Sequence, residues 1–345
     1  RSEQQGVSDA ASARDVQCDG TTNTAPPDLR LRRAYSTVGV LRNRAPSPFV
    51  RGGRNRQPRL QVLDAAAIDA RRRIVVAPTT TLHSTTPEEL RETARLARRL
   101  GLRLHSHLSE TVDYLDAARA KFAMTPVQFC AEQEWLGPDV WFAHLVKLLP
   151  EEIRLLGNSG SGIAHCPQSN GRLGSGIADL PALEAAGVTV SIGVDGAASN
   201  EAADMLSETH AAWLLQRARK GELARPRYAG GTFEGGADAA SIEDVLRWGT
   251  AGGAQVLGLD AVGTLQVGQA ADIAIYGLDD PRYFGLHDPA IGPIACGGRA
   301  SVKALLVGGR RVVVDDRIPG LDMAALGREA NAAVLELQRR AGVRR

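Results

Sequence analysis

Four phrases in the middle of the chain end in residues that can bind metal or move protons. They are LRLHSHLSE at 102–110, VWFAHLV at 140–146, GIAHCPQSN at 162–170 and VSIGVDGAASN at 190–200. Each is a short apolar run that stops at His, Asp or Glu, and a helix-like stretch separates each from the next. If the runs are neighbouring parallel strands, their polar ends meet at one rim, with His107, Glu110, His144, His165 and Asp195 around one pocket. Imidazole and carboxylate together suit Zn²⁺ or Fe²⁺. A metal held there would bring the pKa of a bound water down to about 7. A carboxylate such as Glu110 beside that water could carry its proton to a leaving nitrogen. Taken singly, each residue also has a plain structural role: a strand-end His is more often packing than ligand, and Asp195-Gly196 alone is an ordinary turn. Their order and spacing together carry the argument.

The elements that must position these residues are legible from residue 74 onward. Ile74–Ala77, Leu102–His107, Val140–Ala143, Gly162–Ala164 and Val188–Val194 are strand-like runs. Helical segments between them open with recognisable caps: Thr86-Pro87-Glu88-Glu89 and Thr125-Pro126-Val127-Gln128 each place an N-cap, Pro at the first helical position and Glu or Gln three after the cap. Five βα units in succession predict a parallel sheet covered by helices. A further helix is expected to open at Ser241 and to close near Gly258. The hairpin-like VKALLVGGRRVVVDD turns at Gly308-Gly309. The expected division is an irregular Arg-rich segment over 1–73, a partial barrel over 74–257, a β-rich portion over 258–322 and a terminal helix over 323–345.

Composition narrows the function class. The chain has 345 residues and a net charge of +2. Residues 1–73 carry 14 Arg against 7 acids, and the remainder carries 27 basic against 32 acidic residues, so the surplus of +7 in the first part is offset by −5 in the rest. No folded motif accompanies those arginines, so no nucleic-acid partner is expected. No apolar run approaches the roughly 20 residues of a membrane helix, and the polar start lacks the apolar segment of a signal peptide. Cys18, Cys130, Cys166 and Cys296 form no CxxC pair, which fits a reducing, cytoplasmic setting. Two readings of residues 1–73 stand side by side: a disordered basic tail, or a start that is not native coding sequence. With Arg1 and not Met at the first position, the chain is expected to be a fragment.

The same phrases resemble the metal-dependent amidohydrolase superfamily, and within it the aminohydrolase branch that holds guanine, 8-oxoguanine and S-adenosylhomocysteine deaminases and the triazine hydrolases. AHCPQSNGRLGSGIA and GVDGAASN are most similar to the 8-oxoguanine deaminase group, and VGTLQVGQAADIAIY resembles the superfamily's β-sandwich. The resemblance covers about 74–322. It implies an α/β fold, here an incomplete TIM-like (β/α) barrel of about strands four to eight with a small C-terminal β-sandwich portion. It implies one divalent metal, zinc ahead of iron, with His107 as the ligand of strand five and Asp195 as ligand and proton acceptor of strand eight. Glu110 becomes the proton shuttle, and His144 positions the water or the substrate. His165 and Asn170 line the pocket or support it. The implied reaction is hydrolytic deamination of an amino-substituted heterocycle such as 8-oxoguanine, by hydroxide attack and release of ammonia. A triazine chlorohydrolase-like activity and a truncated, inactive copy are the alternatives, and a homo-oligomer is compatible with the resemblance. The family's first-strand HxH pair has no counterpart, because no His precedes His83; Lys147 also stands where close relatives often carry another His.

Overall fold

The computed structural model describes residues 38–41 (by their backbone), 73–84, 86–224 and 235–343, and these lie in one compact unit. Six strands form a parallel sheet in sequential order: β1 (Val38–Leu41), β2 (Arg73–Val76), β3 (Arg103–Leu108), β4 (Val140–His144), β5 (Gly162–His165) and β6 (Thr189–Ile192). The strand β1 departs from the expectation of an irregular segment up to residue 73. Its four residues, VGVL, are too short a run among Pro, Gly and Arg to show a period. The other expectations about residues 1–72 lie outside the described residues.

Helices follow the strands because local chemistry starts and stops them. Helix α1 (Pro87–Arg99) opens with a complete capping box: the Glu89 N–H donates to the Thr86 hydroxyl, and the Glu89 carboxylate accepts from the Thr86 N–H. Its buried stripe is Leu90, Ala94 and Ala97. Helix α2 (Val112–Phe122) follows β3, and α3 (Pro126–Glu132) repeats the box with Thr125 and Gln128. Next come α4 (Pro150–Ser159), α5 (Pro167–Leu173), α6 (Leu180–Ala185) and α7 (Met205–Leu223). Ser241 and Asp244 box the start of α8 (Ile242–Arg247). This helix runs through a π turn, Trp248–Gly252, into α9 (Gly253–Leu257), and Gly258 ends it in the left-handed region at φ 64°. The π turn presses on β6: a Cβ on Gly252 would sit 2.0 Å from the Val190 carbonyl, so only glycine allows the contact.

The sheet has two apolar faces. On one, Leu104, Leu108, Phe142, Ile163, Val190 and Ile192 pack against Leu90, Ala94, Leu156 and Leu183 of the helices. On the other, Val75, Ala77, Trp141 and Val256 make a smaller cluster. Strand β3 shows the alternation: Leu104, Ser106 and Leu108 are buried, while His105 and His107 point the other way. The helix-side core therefore fixes the strand register, and the register decides which side chains reach the second face.

Beyond the sheet, β7 (Ile273–Tyr276), β8 (Val302–Val307) and β9 (Arg310–Val314) form a three-stranded antiparallel sheet, with the β8–β9 turn at Gly308-Gly309 as expected. Between β7 and β8 a short helix α10 (Gly292–Ala295) packs near α7, and α11 (Met323–Arg340) closes the chain. No helix among the described residues is long and apolar enough to cross a membrane.

Candidate active site

Parallel pairing sets His107 level with Ala143, and Leu108 level with His144. His165 is level with Ile192, and Asp195 follows three residues later. The carboxyl ends of β3 to β6 thus deliver four of the five strand-end residues to one rim. Donor atoms of His107, His144 and Asp195 all lie within 4.8 Å of one another. Glu110 joins them from the turn after β3: its Oε2 is 3.7 Å from His144 Nε2, and Asp195 Oδ2 is 4.0 Å from the same nitrogen.

Each imidazole is oriented by a hydrogen bond on its far nitrogen. His107 Nδ1–H donates to the Thr79 carbonyl at 2.6 Å. A carbonyl only accepts, so the proton sits on Nδ1 and Nε2 carries the free lone pair. His144 Nδ1 donates to Asn170 Oδ1 at 2.8 Å, inside the protein, and its Nε2 is likewise the open nitrogen. The rings stack with centroids 5.3 Å apart.

The carboxylates are held as well. The Ser169 hydroxyl donates to Asp195 Oδ2 at 2.6 Å, and the Ser199 hydroxyl lies 3.3 Å from the same oxygen. Burial alone would raise the Asp195 carboxyl. The Ser169 and Gly196 hydrogen bonds and the His144 and His107 rings outweigh it and keep the group below the usual range. The Ser175 hydroxyl donates to Glu110 Oε1 at 3.0 Å.

The backbone around the site is strained. Ser109, His144, Leu145 and Asp195 have φ of 50°, 77°, 46° and 63°. Non-glycine residues rarely adopt these values, and such residues collect at functional sites. Hydrogen bonds from the Val146 and Lys147 N–H groups to the Ser109 carbonyl, at 3.0 and 2.8 Å, tie the two turns together.

The other candidates take different places. His165 and Asn170 were expected to line the pocket; both are fully buried, at 0 % exposure. Asn170 acts through His144. His165 finds no hydrogen-bond partner for either ring nitrogen, and burial followed by the nearby His144 lowers its pKa to about 3. His105 sits one pleat below His107, stacked on Trp141 at 4.9 Å. Burial lowers it to about 4, against the bond to the Trp141 carbonyl. His210 bonds the Ile294 carbonyl, and His83 and His287 are exposed. Thr79, Ser169, Ser175 and Ser199 went unread in the sequence. Ser169 and Ser199 lie inside the quoted phrases, three residues beyond Cys166 and four beyond Asp195, but a serine carries no mark of its partner.

Comparison with known proteins places this geometry. A model of the amidohydrolase family matches residues 20–312. The chain is 66 % identical over 270 residues to an isoxanthopterin deaminase from an unknown prokaryotic organism, covering 78 % of this chain and 56 % of that protein. It is 41 % identical over 268 residues to an 8-oxoguanine deaminase of Pseudomonas aeruginosa, again covering 78 % and 56 %. The chain thus spans about half the length of the curated relatives it matches. Among solved structures, an amidohydrolase from a Sargasso Sea environmental sample superposes with a TM-score of 0.66 at 56 % identity, covering 79 % of this chain and 56 % of that one. A zinc-bound adenosine deaminase from Xanthomonas campestris gives 0.72 at 27 % identity, covering 79 % and 58 %. A match across most of the sequence, over a parallel α/β sheet whose strand ends gather two histidines and an aspartate, makes this chain a member of the amidohydrolase family.

Proposed function

We propose that this chain carries the catalytic half-site of a metal-dependent aminohydrolase that deaminates an amino-substituted, oxo-bearing fused heterocycle. The convergence of His107, His144 and Asp195 within 4.8 Å, with Glu110 beside them, is the observation that carries this reading. The donor set fits a divalent metal: two imidazoles presenting unprotonated Nε2 and one ionised carboxylate form the three-ligand set of catalytic zinc sites, which leaves a position open. His107 and Asp195 would hold the ion, and His144 would join them, a reading that its place within 4.8 Å of both supports. When bound, such a metal supplies Lewis acidity that activates a water at neutral pH.

The chain's own residues would do the rest. Thr79 and Asn170 fix the tautomers of the two histidines, so neither ring has to turn during the reaction. Asp195, kept ionised by Ser169, accepts a proton from the attacking water. Glu110, held by Ser175, moves a proton to the exocyclic nitrogen of the ring. Water adds to the carbon bearing the amino group, the C–N bond breaks, ammonia leaves and a ring carbonyl remains. The barrel of which this sheet forms part is read as incomplete in the chain, and the β7–β9 sheet as a portion of the family's sandwich.

The substrate reading is a pterin. Identity to the isoxanthopterin deaminase is 66 %, against 41 % to the 8-oxoguanine deaminase and 36 % to a hydroxydechloroatrazine ethylaminohydrolase of a Pseudomonas species. Isoxanthopterin and 8-oxoguanine share a cyclic guanidine unit, so one site could admit both with different efficiency. The test is ammonia release by the zinc-supplemented full chain. Isoxanthopterin should be turned over faster than 8-oxoguanine. Zinc uptake without ammonia from either compound would overturn the proposal.

A further inference from the structure

Outside the array, one buried charge has no part in the chemistry just described. Glu208 lies in the first turn of α7 and is fully buried, at 0 % exposure. Its carboxylate oxygens accept from two donors on different elements. Oε2 takes the backbone N–H of Gln168, at the open amino end of α5, at 3.3 Å. Oε1 takes the side-chain N–H of Asn200. Asn200 gives its second N–H to the Val194 carbonyl at 3.0 Å, and its Oδ1 accepts from the Ala203 N–H at 3.3 Å. The flanking residues repeat the link, since Gln168 Nε2 donates to the Ser207 hydroxyl at 2.8 Å. Between Val194 and Asn200 sits Asp195, at φ 63°. One position after Gln168 sits Ser169, which donates to Asp195.

We infer that Glu208 is the positioning residue of the site: its carboxylate clamps the turn carrying Asp195 to the segment carrying Ser169, and so fixes the Asp195 carboxylate toward His107 and His144. A left-handed aspartate in an exposed turn would relax unless the surrounding structure over-determined it. The carboxylate meets the need because it accepts at both oxygens. A glutamine of the same shape could not: with both Asn200 N–H groups already committed, its own NH₂ would face either Asn200 or the Gln168 N–H, donor against donor. The group also sits there at a cost. Burial pushes Glu208 up to about 7, against the bonds from Gln168 and Asn200 that favour its charge. A buried acid that stability alone would not select fits a functional demand.

The test uses the full chain with Glu208→Gln and Asn200→Ala, and with Glu336→Gln on the exposed α11 as control. The first readout is amide hydrogen exchange without metal. Both site variants should speed exchange across 193–204 by roughly tenfold or more, the factor set by one charge-assisted hydrogen bond. The rest of the sheet should stay protected. Unchanged exchange in that segment overturns the inference, as does uniform loss of protection. The second readout is zinc affinity by chelator competition, and this arm alone rests on the proposed function. Glu208 reaches Asp195 only through Asn200 and the Gln168–Ser169 segment, so loosening that turn in Glu208→Gln should weaken zinc by up to about 10-fold, the low end of what losing a direct outer partner of a ligand costs. An unchanged affinity overturns the link to Asp195. If the unaltered chain takes up no zinc, the proposed function fails, while the exchange result still decides the role of Glu208.

Discussion

Replacing His165 by Phe should remove about half of the acid sensitivity that buried histidine gives this fold. His165 is charged only below about pH 3 in the folded chain, whereas its ordinary pKa is 6.5. Unfolding frees the ring to bind a proton at every pH between those values. A lowered histidine pKa therefore contributes stability that is complete above pH 6.5 and is lost as pH falls toward 3. The loss is about 1.4 kcal/mol per pH unit for each such group. Between pH 6.5 and 5 it amounts to about 2 kcal/mol for His165. His105, lowered to about 4, has the same sign and adds a similar amount in that window. Urea unfolding of the chain at pH 5, 6 and 7, followed by tryptophan fluorescence, should show His165→Phe losing about 2 kcal/mol less than the unaltered protein between pH 7 and 5. Phe is comparable in size and does not titrate, so the comparison rests on the pH slope and not on the stability at one pH. Parallel pH dependences in the two proteins would refute the argument that His165 is held neutral by burial.

Other perturbations bear on the site. Asn170→Leu strips the acceptor from His144 Nδ1 and leaves a buried N–H without a partner; it should cost about 1–3 kcal/mol in urea unfolding at pH 7.5. With the His144 tautomer released, turnover should fall by about 10- to 100-fold in the ammonia assay. Glu110→Gln keeps the shape and the Ser175 contact but removes the proton carrier; ammonia release should fall by about 10²- to 10⁴-fold while zinc per chain is retained. Loss of zinc in that variant would instead make Glu110 a ligand.

Much of the positioning frame was legible because it follows from local rules. Thr86 and Thr125 each precede Pro and stand three before Glu or Gln, and such a pattern has little else to do than start a helix. His107, His144 and Asp195 stood out because each ends an apolar run, and parallel order then brings the ends together. What the sequence hid depends on contacts across long separations. The Ser175–Glu110 bond joins residues 65 apart, and nothing near either residue marks it. His165 and His107 look alike as strand-end imidazoles. Their fates differ because His165 is enclosed with no partner, whereas His107 finds the Thr79 carbonyl from a neighbouring segment. The π turn at Trp248–Gly252 reads as one continuous helix in sequence, and the close approach of its Gly252 to the Val190 carbonyl involves another strand.

The central claim is that His107, His144 and Asp195 of this chain together hold one metal ion. Elemental analysis of the purified 345-residue chain tests it most directly, after supply of zinc and removal of excess by desalting. The account predicts close to one zinc per chain, lost in His107→Ala and in Asp195→Asn but kept in His287→Ala, whose ring is exposed and outside the array. No zinc on the unaltered chain, or the same zinc content in His107→Ala, would contradict it.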